Sequence, residues 1–467
     1  MVLQHETGNA ALAGLRAGVP DGVIVADPDI IAGYRQDTAL DPDAGMPLAV
    51  ARATCTEDVQ SVLRWAGTHR VPVVPRGAGS GLSGGASAQD GCIVLSLERM
   101  RDVSIDSGAR VAVAQPGAFN AEVKKAAAAH GLWYPPDPSS FEISSIGGNV
   151  ATNAGGLCCV KYGVTTDYVL GMQVVLADGT ALRLGGPRLK DAAGLSLTKL
   201  FTGSEGTLGV ITELTLRLLP APAPASTLVA VFGSVEAAAD AVLAITAKVR
   251  PAMLELMDNA SINVVEDLLQ MDLDRGAGAL LIARSDAPGA SAAAEIAVMT
   301  QACTANGAAD VFSTDDEAEG EAFAAARRSF GLATARLGDL LLEDVGVPLP
   351  QLPELIRGLQ RIAAGNGVYI ATVAHAGDGN THPVIAYTAS DPDSTARARK
   401  AFSEIIGLAL SLGGTITGEH GTGRLKAPWL GDQLGPDVMA LTRRIKHALD
   451  PDGILNPGAL LTDDAGP

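Results

Sequence analysis

The chain has 467 residues, of which 47% are hydrophobic and 18% charged, a composition typical of a folded globular protein and a length beyond what one hydrophobic core usually serves. Its formal net charge of −18 excludes the basic surface that binds nucleic acid, so an anionic substrate must be held by specific groups or by a metal ion. The sequence shows neither a signal segment nor an apolar run long enough to span a bilayer. We therefore expect a soluble cytoplasmic protein, with any membrane attachment peripheral and made through a partner.

The first half of the chain predicts strands and helices that alternate irregularly. Residues 48–75 read as strand, helix and strand, with Thr56 as a candidate N-cap. GCIVLSL and ARVAVAQPG are strand-like, and the helix FNAEVKKAAAAHG ends at Gly131. A hairpin over YVLGMQVVLADGTALRL turns at Asp178 and Gly179. This half is predicted to be an α+β domain rich in antiparallel strand pairs.

The second half begins after a strand, GTLGVITELTLRLLP, and a stiff connector, LPAPAPAS, which together place a domain boundary near residue 221. Beyond it, strands such as TLVAVFG, GALLIAR and YIATVAHA alternate with alanine-rich helices. This order predicts a sheet with helices packed on one face. Five cysteines without a C-x-x-C pair indicate reduced thiols. The adjacent Cys158 and Cys159 are interpreted as small buried residues, with a redox pair as the alternative.

The densest glycine cluster, PRGAGSGLSGG over residues 75–85, predicts a loop whose backbone N–H groups approach a diphosphate closely. Gly79, Gly81 and Gly84 fit the G-x-G-x-x-G pattern of nicotinamide-nucleotide domains, but no helix-forming segment follows them, which excludes that interpretation. A second polar stretch over residues 135–156 has no regular period. Taken alone, it is equally compatible with a functional loop and with a surface loop of turn residues. A third segment, GSEGTLGVIT, starts at Gly203.

Three of the seven histidines fall in two glycine-flanked motifs, AHAGDGNTH and GEHGTG. Two imidazoles and one carboxylate suit Zn²⁺, Fe²⁺ or Mn²⁺ with open positions for a substrate. Each histidine singly is better explained as a structural residue, but the grouping in glycine loops favours a metal site. Asp378, in the turn between the first two histidines, is assigned to turn geometry or to the orientation of a ligand histidine.

These motifs, in this order, resemble the FAD domain of the vanillyl-alcohol-oxidase or PCMH superfamily, closest to the group of glycolate oxidase D-subunits, D-lactate dehydrogenases and D-2-hydroxyglutarate dehydrogenases. The resemblance implies a PCMH-type FAD domain over residues 1–221, an α+β cap domain with a helix-covered sheet over 222–415, and a C-terminal segment, 416–467, that completes the active site. It implies non-covalent FAD, because the glycine loop has no histidine to tether the flavin. The FAD-binding residues that it implies are Pro75, Arg76, Gly77, Ala78, Gly79, Ser80, Gly81, Leu82, Ser83, Pro138, Ser139, Gly147, Gly148, Asn149, Thr152, Asn153, Gly155, Gly206, Gly209, Ile211 and Asn456.

By the same resemblance, His375, His382 and Glu419 are the metal ligands, His420 is the general base, and Asn380 lies close to the substrate or the flavin. Zn²⁺ is the first candidate ion, with Fe²⁺ or Mn²⁺ as alternatives. The implied reaction is the oxidation of a D-2-hydroxy acid to a 2-keto acid, in which the metal lowers the pKa of the hydroxyl, the base takes its proton, and a hydride passes to flavin N5.

An arginine of the cap domain grips the substrate carboxylate in this group, and EAFAAARRSFG offers Arg327, which we prefer, or Arg328. Relatives that act on 2-hydroxyglutarate carry a threonine and a lysine where this chain has Gly331 and Leu342. This difference favours D-lactate, glycolate or a longer monocarboxylate.

The alternatives to this function are a D-2-hydroxyglutarate dehydrogenase, a flavin-binding subunit without its own catalysis, and a non-redox relative of the ether-lipid synthase type. The sequence has no Fe–S or haem ligand motif, so electrons must leave to a quinone, an electron-transfer flavoprotein, an Fe–S subunit or oxygen. The sequence leaves the oligomeric state open, with a homodimer as one alternative.

Overall fold

The computed structural model describes residues 12–461, which divide into two compact units. The first unit holds the residues up to Ala154, Val164–Ala221 and the residues from Glu419 onward. The second unit holds Gly155–Gly163 and Pro222–Gly418. Both units combine sheets with helices, which confirms the α+β prediction.

The first unit contains two sheets and a short strand pair. Its strands are Ile24–Val25 (β1), Ala49–Arg52 (β2), Val73–Arg76 (β3), Ile93–Ser96 (β4), Val103–Asp106 (β5), Val111–Ala114 (β6), Leu132–Trp133 (β7), Val169–Val175 (β8), Ala181–Gly185 (β9), Val210–Arg217 (β10) and Leu219–Pro220 (β11). One sheet has the order β1-β2-β4-β3, with β4 parallel to both neighbours, and the other has the order β5-β6-β10-β8-β9. The predicted hairpin is confirmed as the pair β8 and β9.

The second unit is built on one antiparallel sheet. Its strands are Ser226–Phe232 (β12), Met253–Asp258 (β13), Ala279–Ser285 (β14), Ala308–Thr314 (β15), Asp339–Leu342 (β16), Val345–Gly346 (β17), Tyr369–His375 (β18) and Asn380–Tyr387 (β19). The order is β15-β12-β14-β13-β18-β19-β16, and β17 also pairs with β19.

The helices of both units, in chain order, are Pro28–Ala32 (α1), Thr56–His69 (α2), Asn120–Ala128 (α3), Ile146–Thr152 (α4), Cys159–Tyr162 (α5), Leu197–Phe201 (α6), Val235–Thr246 (α7), Asn259–Leu269 (α8), Ala290–Ala305 (α9), Glu317–Arg328 (α10), Phe330–Thr334 (α11), Leu352–Asn366 (α12), Pro392–Ser411 (α13) and Ala427–Leu449 (α14). No helix within residues 12–461 is both long enough and apolar enough to span a membrane.

Helices cover both faces of the second unit's sheet, so the prediction of a single covered face is wrong. Alternate residues of β12 show this, because Leu228 and Ala230 belong to one buried cluster and Val229 to another. The first cluster includes residues of α7, α9, α12 and α13, and the second includes residues of α8, α10 and α11. Alanine-rich helices hide this arrangement from sequence analysis because their apolar faces are weakly marked.

Three local expectations in the chain need correction. The N-cap of α2 is Cys55 and not Thr56, because the helix begins at Thr56. The Thr56 hydroxyl instead donates to Gln173 Oε1 at 3.0 Å. The stretch over residues 135–156 is not entirely irregular, because it contains α4. Cys158 and Cys159 are partly exposed rather than buried.

Candidate functional site

The side chain of Arg76 packs against the glycine loop that follows β3. Its guanidinium is buried and donates to Ala86 O at 3.1 Å and to Gln36 O at 2.9 Å. Gly79 has a φ of +75°, and a Cβ there would lie 2.2 Å from Arg76 Nη2. The loop therefore needs glycine at this position, as a backbone cradle for a diphosphate does.

The second glycine-rich stretch meets this loop through Ser145, the N-cap of α4. The Ser145 hydroxyl oxygen accepts the N–H of Ala78 at 3.2 Å and the N–H of Gly148 at 3.3 Å. A Cβ on Gly77 would lie 2.1 Å from the same oxygen, and a Cβ on Gly147 would lie 2.4 Å from Pro116. The side chain of Ser145 thus connects two predicted FAD segments.

Several predicted FAD residues are themselves engaged in structure. Asn149 is buried, accepts from Asn120 Nδ2 at 3.0 Å and donates to Ser144 Oγ at 3.2 Å. Asn153 has a φ of +55° and accepts the N–H of Thr166 at 2.9 Å. Their side chains shape the backbone around the loop. Pro138 is buried, Ser139 is exposed, and Gly155 belongs to the second unit.

The third glycine-rich segment brings a buried carboxylate that sequence analysis missed. Glu205 has a φ of +50° and accepts the N–H groups of Thr422 and Gly423, each at 2.8 Å. Burial raises the pKa of Glu205 to about 7. Asn456 closes the arrangement, since its side chain donates to Gly85 O at 2.8 Å and to Glu205 O at 2.7 Å.

From Glu419 onward, the GEHGTG motif lies in the first unit and is hydrogen-bonded to the glycine loop. Ser83 Oγ donates to Gly421 O at 2.7 Å, and Ser83 O accepts the N–H of Arg424 at 2.9 Å. His420 lies in this segment, with Nε2 3.9 Å from Glu419 Oε1. The candidate base therefore lies in a segment that is hydrogen-bonded to the predicted diphosphate loop.

The sheet of the second unit places the two other histidines on one face. His375 ends β18, where it stands opposite Asn380 of β19, and His382 stands opposite Val373. The centroids of the two imidazole rings are 4.9 Å apart. Asp378 Oδ1 accepts the N–H of Asn380 at 3.2 Å, which is the turn role predicted for it. The Oδ1 atom of Asn380 is buried and has no hydrogen-bond partner within the described residues.

A buried carboxylate stands behind each of these imidazoles. Glu255 Oε1 lies 2.8 Å from His375 Nδ1, and Asp344 Oδ1 lies 3.6 Å from His382 Nδ1. Asp344 Oδ2 also accepts from the Thr417 hydroxyl at 2.7 Å and from the N–H of Gly418 at 2.9 Å. Glu255 is within hydrogen-bond distance of His375 Nδ1, which favours a proton on that atom and suits Nε2 to metal binding. Asp344 lies too far from His382 Nδ1 for a hydrogen bond. The donor set thus fits a divalent cation.

Arg327 contacts the same carboxylate as His375. Its Nε lies 2.8 Å from Glu255 Oε2, although the N–H direction does not meet hydrogen-bond geometry. Arg327 is only 3% exposed, and its Nη2 has no hydrogen-bond acceptor within the described residues. Arg328 instead pairs with Glu321. Of the two candidate arginines, Arg327 is the one with a buried N–H group left for an anion.

Known proteins match this chain over nearly its whole length. Residues 47–185 match the FAD binding domain, and residues 221–460 match the FAD linked oxidases, C-terminal domain. The chain is 41% identical to the glycolate oxidase subunit GlcD of Bacillus subtilis, which covers 90% of both chains. It is 40% identical to GlcD of Escherichia coli, covering 96% of this chain and 90% of that protein, and 35% identical to a D-lactate dehydrogenase of Archaeoglobus fulgidus, covering 90% and 93%.

Solved structures share the fold. A p-cresol methylhydroxylase aligns with a TM-score of 0.83 at 18% identity, covering 98% of both chains. An alkyldihydroxyacetonephosphate synthase aligns with a TM-score of 0.75 at 20% identity, covering 96% of this chain and 84% of that one. At these identities the likeness shows the fold alone.

Proposed function

Because the chain belongs to the FAD-linked oxidase family within the PCMH-type superfamily, we propose that it is a dehydrogenase that oxidises a D-2-hydroxy monocarboxylate, such as D-lactate, glycolate or a longer homologue, to the 2-keto acid. The observation that carries the proposal is the pair of carboxylate-backed imidazoles, His375 and His382, on the sheet face that also holds the buried guanidinium of Arg327. A 2-hydroxy acid offers a carboxylate and an adjacent hydroxyl, which suit a cation and an arginine.

Glu419 is the proposed third ligand of the metal. It follows Gly418 directly in the chain, so its Cα lies about 3.8 Å from the Cα of Gly418 across the peptide bond. Gly418 is tied to the imidazole region, since its N–H donates to Asp344 and a Cβ there would lie 2.3 Å from Asn380 Oδ1. Covalent geometry therefore supports a carboxylate close to the two imidazoles. A set of two histidines and one carboxylate suits Zn²⁺, and Fe²⁺ or Mn²⁺ are compatible with it.

When bound, FAD supplies a two-electron acceptor, and the cation supplies the positive charge that lowers the pKa of the substrate hydroxyl. The protein's part is to bind, orient and accept a proton. Arg327 donates from Nη2 to the substrate carboxylate. Asn380, whose Oδ1 is buried without a hydrogen-bond partner within the described residues, is assigned a position close to the substrate or the flavin. His420 Nε2 accepts the proton from the hydroxyl oxygen, while the hydride leaves the carbon that bears this hydroxyl, for which FAD would be the acceptor.

The proposed substrate class depends on two positions. Relatives that act on 2-hydroxyglutarate carry a threonine and a lysine there, and this chain has Gly331 and Leu342. Leu342 pairs with Val384 inside the sheet, and a Cβ added to Gly331 would meet nothing within 4 Å. Neither residue offers a donor to a second carboxylate. The named relatives, a glycolate oxidase subunit and a D-lactate dehydrogenase, support a small monocarboxylate. The glycolate oxidase relatives of Bacillus subtilis and Escherichia coli are both named as subunits, so we propose that electrons pass to a partner protein or a quinone.

The test is anaerobic reduction of the purified FAD-loaded protein by a panel of 2-hydroxy acids. The loss of flavin absorbance measures the reduction. D-Lactate, glycolate or a longer D-2-hydroxy acid should bleach the flavin, and L-lactate should not. Bleaching only by D-2-hydroxyglutarate would move the substrate to the dicarboxylate class. No bleaching by any acid, with FAD and metal both bound, would contradict the proposed function.

A further inference from the structure

Glu255 contacts two different charged groups with its two carboxylate oxygens. Oε1 lies 2.8 Å from His375 Nδ1, and Oε2 lies 2.8 Å from Arg327 Nε. The residue is fully buried in β13, where it stands directly opposite His375 of β18. One side chain therefore links a candidate metal ligand to the candidate substrate-binding arginine.

The strand around Glu255 is otherwise apolar. Its neighbours Leu254 and Leu256 point to the opposite face of the sheet, and Met253 and Met257 belong to the cluster on the same face. A carboxylate in these surroundings is unfavourable unless it is paired. Pairing with Arg327 alone would satisfy the charge. The second contact, from the other oxygen to His375, is not needed for that purpose and points to a role at the imidazole.

Resting on the proposed function, we infer that Glu255 is a positioning residue that orients His375 and Arg327 together. By accepting from Nδ1 it keeps the imidazole proton on that atom, which leaves the Nε2 lone pair for a metal. By pairing with Nε it restrains the guanidinium, whose Nη2 has no acceptor within the described residues. The Glu255 side chain thus sets the spacing between His375, the candidate metal ligand, and Arg327, the candidate group for the substrate carboxylate.

The substitution Glu255→Gln separates this role from simple charge burial. An amide has one acceptor and one donor, so it cannot accept from both partners. If its oxygen faces Arg327, its NH₂ group faces His375 Nδ1 and favours the tautomer with the proton on Nε2, where the metal would bind. If its oxygen faces His375, its NH₂ group faces a guanidinium that has no acceptor left. Either orientation disturbs one of the two groups specifically.

The matched control is Asp258→Asn on the same strand. Asp258 is a buried carboxylate that accepts from Ser261 N at 2.7 Å and from Thr372 N at 2.9 Å, and it caps α8. Within the described residues its carboxylate forms hydrogen bonds with neither His375 nor Arg327. It reports what the loss of a buried carboxylate in this sheet does to stability alone.

The experiment uses the full-length FAD-loaded protein and measures three quantities: the affinity for Zn²⁺, the KM for D-lactate with kcat, and the ¹⁵N chemical shifts of the His375 ring, assigned by comparison with His375→Gln. In Glu255→Gln we expect Zn²⁺ affinity to fall about 10- to 100-fold, KM to rise, FAD to remain bound, and the His375 shifts to move from the Nδ1–H to the Nε2–H tautomer. Asp258→Asn should lower the melting temperature and leave the other quantities unchanged.

The ring spectrum is read in metal-free protein, so it does not depend on catalysis. If the wild type binds no Zn²⁺ and no acid reduces it, but Glu255→Gln still changes the tautomer, the proposed function fails and the positioning of His375 stands. An unchanged tautomer with unchanged Zn²⁺ affinity and KM overturns the inference.

Discussion

Glu205 accepts the backbone N–H of Gly423, with 2.8 Å between Oε2 and N, while its other oxygen accepts from Thr422 at the same distance. The carboxylate thereby holds the segment that carries His420 in a fixed conformation. Glu205 is buried, and burial raises its pKa from 4.5 to about 7. Two uncharged donors do not offset the loss of hydration.

This raised pKa predicts a pH-dependent stability. Between pH 4.5 and about 7 the folded protein retains a proton on Glu205 that the unfolded chain has released, so the contribution of this group to stability falls as the pH rises through that window. The total change is on the order of 3 kcal/mol. Gln does not titrate, so the melting temperature of Glu205→Gln should fall less than that of the wild type as the pH rises through this window. The exposed Glu57→Gln is the control, and an identical pH profile for all three proteins would contradict the prediction.

Gly79→Ala should release FAD. The added Cβ would meet Arg76 Nη2 at 2.2 Å, and the residue has a φ of +75°. Gly91 has a φ of +73° with nothing within 4 Å, so Gly91→Ala carries the same backbone strain without the clash. We expect FAD affinity to fall at least about tenfold in the first variant, since about 1.4 kcal/mol of lost binding energy is enough, and to stay near the wild-type value in the second. Flavin fluorescence titration of apoprotein measures both, and equal losses would show that strain, not contact, decides.

The flavin should be removable without proteolysis. The glycine loop over residues 76–85 contains no histidine for a covalent tether. Acid precipitation should leave FAD in the supernatant and a colourless pellet, as measured by absorbance. Yellow colour that stays with the denatured protein would mean a covalent bond elsewhere.

His420→Ala should retain FAD but lose reduction by substrate. Removal of a general base typically lowers the rate about 10²- to 10⁴-fold. Anaerobic stopped-flow measurement of flavin bleaching checks this, with His447→Ala, an exposed histidine of the same unit, as the control. A variant that is still reduced at the wild-type rate would remove His420 as the base.

Arg327→Lys should raise KM for the hydroxy acid about tenfold or more, because an ammonium cannot hold Glu255 and a substrate carboxylate as a fork does. Arg328→Lys should have little effect, since Arg328 pairs with Glu321. Steady-state kinetics with a dye acceptor measures both. The reverse order of effects would assign the carboxylate to Arg328.

Sequence analysis identified the residues whose roles are local. Gly77 and Gly79 are visible because close backbone approach and positive φ require glycine wherever the chain folds. The two histidine motifs are visible because both ligand candidates of AHAGDGNTH lie within one hairpin, whose turn brings them together.

The tertiary structure alone determined which carboxylates lie beside His375 and His382. Glu255 is 120 residues from His375, and in the string MLELMD it resembles any strand glutamate that faces solvent. The pairing register of β13 with β18 makes it the partner of His375, and the packing of α10 adds Arg327 to the same carboxylate. Asp344 approaches His382 from the connection between β16 and β17, both of which pair with β19. Residue types and short spacings are written in the sequence, but cross-strand neighbours depend on register, which distant contacts set.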